Sequence, residues 1–198
     1  MFKQLACAAI AMLAFNCRPS DANPIHVPPT KNGPRETAML GAGCFWGVEK
    51  WMEMAPGVAD VEVGYAGGKR TDVKYEDVSA GTTGHAETVK IIFDPTVISY
   101  EDLLSKWFFK MHDPTTKDRQ GNDTGSQYRS VIFPQSKAQA QVAAKVKAQV
   151  EKSGAWKSPI TTTIEMNAKF VTAEDYHQDY LQKNPGGYDN HYLRDLKW

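Results

Sequence analysis

The residues best suited to chemistry stand together in Gly41-Ala-Gly-Cys-Phe-Trp-Gly47, where a cysteine lies between small residues and two large aromatic rings. Cysteine attacks as the thiolate, so its surroundings decide whether it reacts. Upstream, Glu36-Thr-Ala-Met-Leu40 is short and largely apolar. Downstream, Val48, Trp51, Met52 and Ala55 recur at helical spacing. Cys44 is therefore expected at or just before a helix N-terminus, where free backbone N–H groups and the helix dipole favour a thiolate. Phe45 and Trp46 would form an apolar wall beside it. The plainer alternative is a cysteine buried as a small apolar residue. The flanking glycines and paired rings argue against it.

Polar residues that could serve this thiol lie far away in sequence. Gly81-Thr-Thr-Gly-His-Ala-Glu87 places a carboxyl group at the start of the apolar run Val89–Phe93. If Glu87 points into an apolar pocket, desolvation keeps it protonated and able to donate a proton near neutral pH; otherwise it is a strand-end charge. Tyr75 and Tyr128 could each supply a phenolic donor, or pack as ordinary amphiphiles. Gln120 to Ser130 is polar and punctuated by glycine, as a functional loop is. Within it, Asp123 could bind a metal or shape an Asx-turn. His85, His112, His177 and His191 are widely spread with no paired-histidine or C-x-x-C spacing, so no metal site is expected. Gly64-Tyr-Ala-Gly-Gly68 lacks the lysine of a phosphate-binding loop. A cysteine hydrolase with His85 or His177 as base is the second enzymatic reading. A binding module for oxidised or methionine-rich proteins, without turnover, is a third.

The other cysteines, Cys7 and Cys17, fall in a leader. Met1-Phe-Lys3 is a basic start, Leu5 to Phe15 is almost wholly apolar, and Ser20-Asp-Ala22 fits a signal-peptidase site. The run is too short for a stable membrane span. Residues 1–22 are thus expected to be a cleaved signal peptide, 23–35 a proline-rich linker and 36–198 one catalytic domain. Lipid attachment at Cys17 is the less favoured alternative, because Asn16 is large for such a site. Export, to the periplasm of a Gram-negative cell, would leave Cys44 as a lone thiol in an oxidising compartment. Such a thiol either reacts or pairs with another molecule.

The 198 residues carry 23 basic and 23 acidic side chains. Near-neutral charge argues against a charge-driven role on nucleic acid or a membrane surface. Strands are expected at Ala38–Gly41, Val58–Tyr65, Ala86–Phe93, Arg129–Phe133 and Thr161–Met166. Helices are expected at Phe45–Met54, Tyr100–Met111, Ser136–Lys152 and Ala173–Lys183, with Ser99 and Thr172 as N-caps. The order predicts an α+β fold, a ferredoxin-like two-layer sandwich with helices on a mainly antiparallel or mixed sheet.

Together, Gly43-Cys-Phe-Trp-Gly47, Gly64-Tyr-Ala-Gly-Gly68, Gly84-His-Ala-Glu87, Asp94-Pro95, His112-Asp-Pro114, the Gln120 to Ser130 loop and Ala173-Glu-Asp-Tyr-His177 through Gly186-Gly-Tyr188 resemble the A-class peptide methionine sulfoxide reductases. The resemblance implies that Cys44 attacks the sulfoxide sulfur, that Phe45 and Trp46 hold the substrate methyl group, and that protonated Glu87 with Tyr75 and Tyr128 meets the oxygen. Asp123 would organise that polar side. The substrate would be the S epimer of methionine sulfoxide, free or in oxidised proteins, and Cys44 would become a sulfenic acid. No cofactor is implied; the recycling partner would be an external thiol: thioredoxin, glutaredoxin or a small thiol. The enzyme is expected to act as a monomer. One departure stands out: family members commonly carry a recycling cysteine directly after Gly-Gly-Tyr, and here Asp189 occupies that place with no thiol beyond it.

Overall fold

The computed structural model describes residues 27–198. The expected signal peptide, with Cys7 and Cys17, and the start of the expected linker lie outside the described residues. The chain forms β1 (Glu36–Ala42), α1 (Phe45–Glu53), β2 (Val58–Ala66), α2 (Tyr75–Ser79) and β3 (Ala86–Phe93). A helical stretch follows, built of α3 (Tyr100–Asp102), a π-helical segment Leu103–Phe108 and α4 (Phe109–Met111). Two short strands, β4 (Arg119–Gln120) and β5 (Asp123–Thr124), a 3-10 turn Ser126–Tyr128, β6 (Ser130–Ile132), α5 (Lys137–Ser153), β7 (Thr163–Ile164), β8 (Phe170–Thr172) and α6 (Tyr180–Lys183) complete it.

The main sheet has the order β7-β6-β1-β3-β2-β8. All neighbours are antiparallel except the parallel pair β6 and β7, so the sheet is mixed. Its inner order, β6-β1-β3-β2, is the expected ferredoxin-like arrangement of a split βαβ pattern. Strand side chains alternate between faces: Ala38, Leu40 and Ala42 join the main core with α1, α5 and the helix around Phe108, while Met39 joins Val131, Phe133, Ala66 and Ala86 in a smaller core on the other face. A one-residue slip of β1 would exchange these sets.

Helix ends follow local chemistry. Ser99 Oγ accepts from Asp102 N at 3.0 Å, and Ser136 Oγ from Gln139 N at 3.1 Å, satisfying N–H groups that a first turn leaves free. On α5 the buried Ala143, Val146 and Val150 make one apolar stripe.

The expected helix over Ala173–Lys183 is corrected. Thr172 ends β8 instead of capping a helix, its hydroxyl donating to Glu62 on the neighbouring strand. Gln178 turns its amide onto β2, bonding Val63 N and Val63 O at 2.9 Å each. Asp179 takes a left-handed conformation, φ 53°, and only Tyr180–Lys183 is helical. Polar contacts to β2 have overridden the local helical pattern. Part of the linker is also fastened down. Asp94, fully covered, accepts from Thr30 N at 2.9 Å and from the hydroxyls of Thr30 and Thr96, and Gly57 N donates to Val27 O at 2.6 Å.

Candidate active site

The antiparallel sheet brings the C-terminal ends of β1 and β2 and the N-terminal ends of β3 and β6 to one edge, where Ala42 pairs with Ser130 and Tyr65 with Glu87. Just beyond β1, Gly43 has φ 98°, a region that disfavours side chains. A Cβ there would also lie 2.5 Å from Gln120 Cγ. The turn delivers Cys44 to the N-cap position of α1, with the sulfur residue 8 % exposed.

Phe45 is buried, its ring centroid 5.9 Å from Tyr65 and 5.0 Å from His177. Trp46 is half-buried, stacked on Tyr180 at 3.7 Å and 13°, and its Nε1 donates to His177 Nδ1 at 3.2 Å. That bond requires Nδ1 of His177 to be an unprotonated acceptor, and burial indeed lowers the tendency of His177 to protonate. The two rings after Cys44 are thus fixed in place beside it by their packing on His177, Tyr65 and Tyr180.

Glu87 reaches Phe45 from β3 and is 3 % exposed. Its Oε2 accepts from Phe45 N at 3.0 Å, one of the free N–H groups at the start of α1. Burial outweighs that bond, and with Asp123 adding repulsion, pushes the carboxyl up to about 8. Burial also pushes the Tyr128 phenol up, with Glu87 next in effect, and raises Tyr75 in the same way with Glu87 and Cys44 behind. Mutual influence of this kind places Cys44, Glu87, Tyr75 and Tyr128 around one small volume.

The expectation that the helix N-terminus makes Cys44 a thiolate is corrected. Backbone N–H groups of Trp46 and Gly47 act in that direction, but burial first and the Glu87 charge second push the thiol well above its ordinary range. In the free site both Cys44 and Glu87 keep their protons at neutral pH.

The polar side is held by loops. Tyr75 begins α2, and its N–H donates to Glu174 Oε1 at 2.9 Å while Tyr65 OH donates to Glu174 Oε2 at 2.9 Å. Tyr128 precedes β6, and its loop is stitched to the end of α2 by Gln127 Nε2 to Ser79 O at 3.1 Å. Asp123, the first residue of β5, accepts from Tyr188 OH at 3.2 Å and from Asn190 Nδ2 at 2.9 Å. The C-terminal segment crosses the start of α1: Asp189 Oδ2 meets Lys50 Nζ at 2.9 Å, Asp189 Oδ1 accepts from His191 N at 2.9 Å, and His191 Nε2 bonds Ala42 O at 2.7 Å.

Cys44, Phe45, Trp46, Glu87, Tyr75, Tyr128 and Asp123 therefore meet at one place. Sequence reasoning missed the supporting roles of His177, Tyr180, Glu174 and Asn190; the aromatic and acidic run Glu174-Asp-Tyr-His177 was the available signal. No hydrogen bond joins either histidine named as a hydrolase base to Cys44 among the described residues: His85 Nε2 bonds Arg70 O at 3.0 Å, and His177 Nδ1 accepts from Trp46 Nε1 at 3.2 Å. His112 is likewise committed, to Phe108 O and Ser130 Oγ at 2.7 Å each.

The family model for peptide methionine sulfoxide reductase matches residues 36–197, all of the domain that builds this site. The chain belongs to that family. The reductase is 51 % identical over 150 residues to the peptide methionine sulfoxide reductase MsrA of Methanothermobacter thermautotrophicus, covering 76 % of this chain and 88 % of that one. It is 47 % identical over 159 residues to MsrA of Mycobacterium tuberculosis, covering 80 % and 85 %. Among solved structures, Mxr1 of Saccharomyces cerevisiae in reduced form superposes with a TM-score of 0.76 at 37 % identity, covering 85 % of this chain and 99 % of that one. MsrA of Corynebacterium diphtheriae gives 0.73 at 36 %, covering 87 % and 88 %. Mxr1 in complex with Trx2 gives 0.56 at 28 %, covering 85 % and 99 %. The reductase is thus an oxidoreductase that returns methionine sulfoxide to methionine.

Proposed function

We propose that this reductase works by a one-cysteine cycle on the S epimer of methionine sulfoxide, free or in oxidised proteins. The observation that carries it is the buried Glu87 carboxyl beside the N-cap cysteine, bonded to Phe45 N at 3.0 Å and protonated up to about pH 8. Phe45 and Trp46 take the substrate methyl group, which orients the sulfoxide sulfur to Cys44 and its oxygen to Glu87, Tyr75 and Tyr128. Asp123, through Tyr188 and Asn190, shapes that polar side.

The atoms balance without an outside proton. The Cys44 S–H bond and the sulfoxide S–O bond break, and a Cys44 S–OH bond forms as methionine leaves. Cys44 is oxidised to a sulfenic acid and the substrate sulfur is reduced. Attack makes the sulfoxide oxygen more basic, so it takes the proton of Glu87, and the proton given up by Cys44 restores it. Burial that keeps both groups protonated thus stores the needed proton inside the site.

The sulfenic acid is then met by an external thiol, forming a mixed disulfide with loss of water; a second thiol releases Cys44. Asp189 where a recycling cysteine commonly stands supports this route, and the Trx2 complex of the related Mxr1 supports a thioredoxin-like reductant. A glutaredoxin-like protein or a small thiol is the other chemistry of the same kind. The leader supports export, to the periplasm in a Gram-negative cell, after cleavage at Ala22. The mature enzyme acts as a monomer. Among the described residues no helix is long and apolar enough to cross a membrane.

Cys44→Ser tests the nucleophile. It should abolish methionine release by at least about a thousandfold while leaving the circular dichroism spectrum unchanged, since the hydroxyl is a far weaker nucleophile. Residual release within tenfold of the parent would remove Cys44 from the role. Several methionine equivalents per protein in the presence of dithiothreitol would exclude the binding-module reading.

A further inference from the structure

Glu49 lies on α1 one turn beyond Trp46 and is 2 % exposed, although it takes no part in the sulfoxide chemistry. A carboxyl group so buried must be held by specific partners. Its Oε1 accepts from Asp179 N at 3.0 Å. Burial pushes the carboxyl up to about 7, while the backbone N–H groups of Asp179 and Tyr180 act in the opposite direction. These are the N–H groups of the N-cap and of the first residue of α6, a helix of four residues that is too short to hold itself. The N-cap, Asp179, sits at φ 53°, a conformation a non-glycine residue keeps only when its surroundings impose it. A second side-chain hydrogen bond between α1 and α6, Gln182 Nε2 to Glu53 at 2.9 and 2.8 Å, joins an exposed amide to a half-buried carboxylate at the surface. Surface contacts of that kind constrain little.

The first residue of α6 is Tyr180, whose ring lies flat on Trp46 at 3.7 Å. The path is short: Glu49 fixes the backbone of Asp179 and Tyr180, the backbone fixes the ring, and the ring backs the indole. We propose that Glu49 is a positioning residue for substrate recognition, which sets the methyl-binding face of Trp46 by capping α6 and pressing Tyr180 against the indole. Glu49 itself does not touch the substrate. The inference rests on the reading that Trp46 grips the substrate methyl group.

Its signature is a selective loss of substrate binding with the reacting groups intact. Glu49→Ala should raise KM for methionine sulfoxide about tenfold and leave kcat within about twofold, while Glu49→Gln, which keeps an acceptor oxygen at the same reach, should stay within about threefold of the parent in KM. Tyr180→Ala should raise KM to a similar extent. The double variant should be no worse than either single one, because both remove the same support. Unchanged KM in a folded Glu49→Ala, a kcat loss as large as the KM rise, or additive effects in the double variant would overturn the proposal. If Glu49→Ala does not fold, Glu49→Asp, which withdraws the carboxylate by one methylene, is read by the same KM-against-kcat split. Trp46→Ala separates the two readings: if it leaves KM unchanged, the methyl-pocket reading fails. If it raises KM while Glu49→Ala does not, the role of Glu49 alone fails.

Discussion

A carboxyl group and a thiol that both keep their protons would be inert in water, yet at this site they form a matched pair. Glu87 is raised from an ordinary carboxylate value to about 8 chiefly by burial, so its acid form is the working one below that pH. The rate of sulfoxide reduction should therefore fall as pH rises through about 8. Glu87→Gln keeps the hydrogen bond to Phe45 N but has no transferable proton, and kcat should drop by about a hundredfold with loss of that alkaline limb. The same residue links to stability. Its folded-state pKa lies above its unfolded value, so its contribution is fully present at pH below about 4.5 and is lost as pH rises through about 8. Urea midpoints of parent and Glu87→Gln should converge at low pH and separate in favour of the variant near pH 8. An unchanged pH profile would show that another group supplies the proton.

The residues proposed to react were named in sequence, Cys44 and Glu87 from short glycine-marked motifs and Tyr75 and Tyr128 as phenolic donors, and the resemblance joined them. The residues that brace them were not. His177 looked like a possible base, and only the fold shows its Nδ1 spent on Trp46. Glu49 was not singled out in sequence, and only the fold buries it against Asp179 N. Both roles depend on how the Glu174 to Lys183 segment is traced, which local periodicity cannot show.

At the scale of elements, the sandwich was readable because its strands and its long helices carry strong periodicity and clear caps. Expected and observed boundaries of β2 and β3 differ by at most one residue. The C-terminal segment failed for the opposite reason: Gln178, Glu174 and Thr172 bind backbone and side chains across the sheet, and Asp179 turns left-handed where a helix would continue. The turn between β1 and α1 matters most to function. Gly43→Ala puts a Cβ into a positive-φ position and against Gln120, so it should destabilise the fold by about 1–3 kcal/mol and lower kcat/KM more than tenfold by displacing the start of α1. Urea unfolding and steady-state kinetics on one preparation would check both; full activity in the variant would mean the turn does not place Cys44.

Across the described residues 27–198, both ends of the described stretch are drawn onto the domain. The segment from Val27 is fastened at Gly57 and Asp94, just downstream of the proposed cleavage point at Ala22. The other end lies over the first turn of α1, where Asp189 is tied to Lys50 and to His191 N. Covering this turn with an ion pair and a histidine in place of a thiol leaves Cys44, the free cysteine among the described residues, with no resolving partner there. In the proposed cycle redox recovery belongs to the encounter with another molecule, so that the cycle divides into a step at Cys44 with the sulfoxide and a step with an external thiol.

The central claim is that division, and a single-turnover experiment tests it most directly. The chain beginning at Asn23, fully reduced, is mixed with excess methionine sulfoxide and no reductant, and methionine, free thiol and intact mass are measured together. The account predicts about one methionine per protein, complete loss of the Cys44 thiol and a mass gain of one oxygen atom, reversed by added thioredoxin or dithiothreitol. No methionine release from the fully reduced protein, or about half a methionine per protein with the thiol lost to an intermolecular Cys44–Cys44 disulfide and no added oxygen, would contradict it.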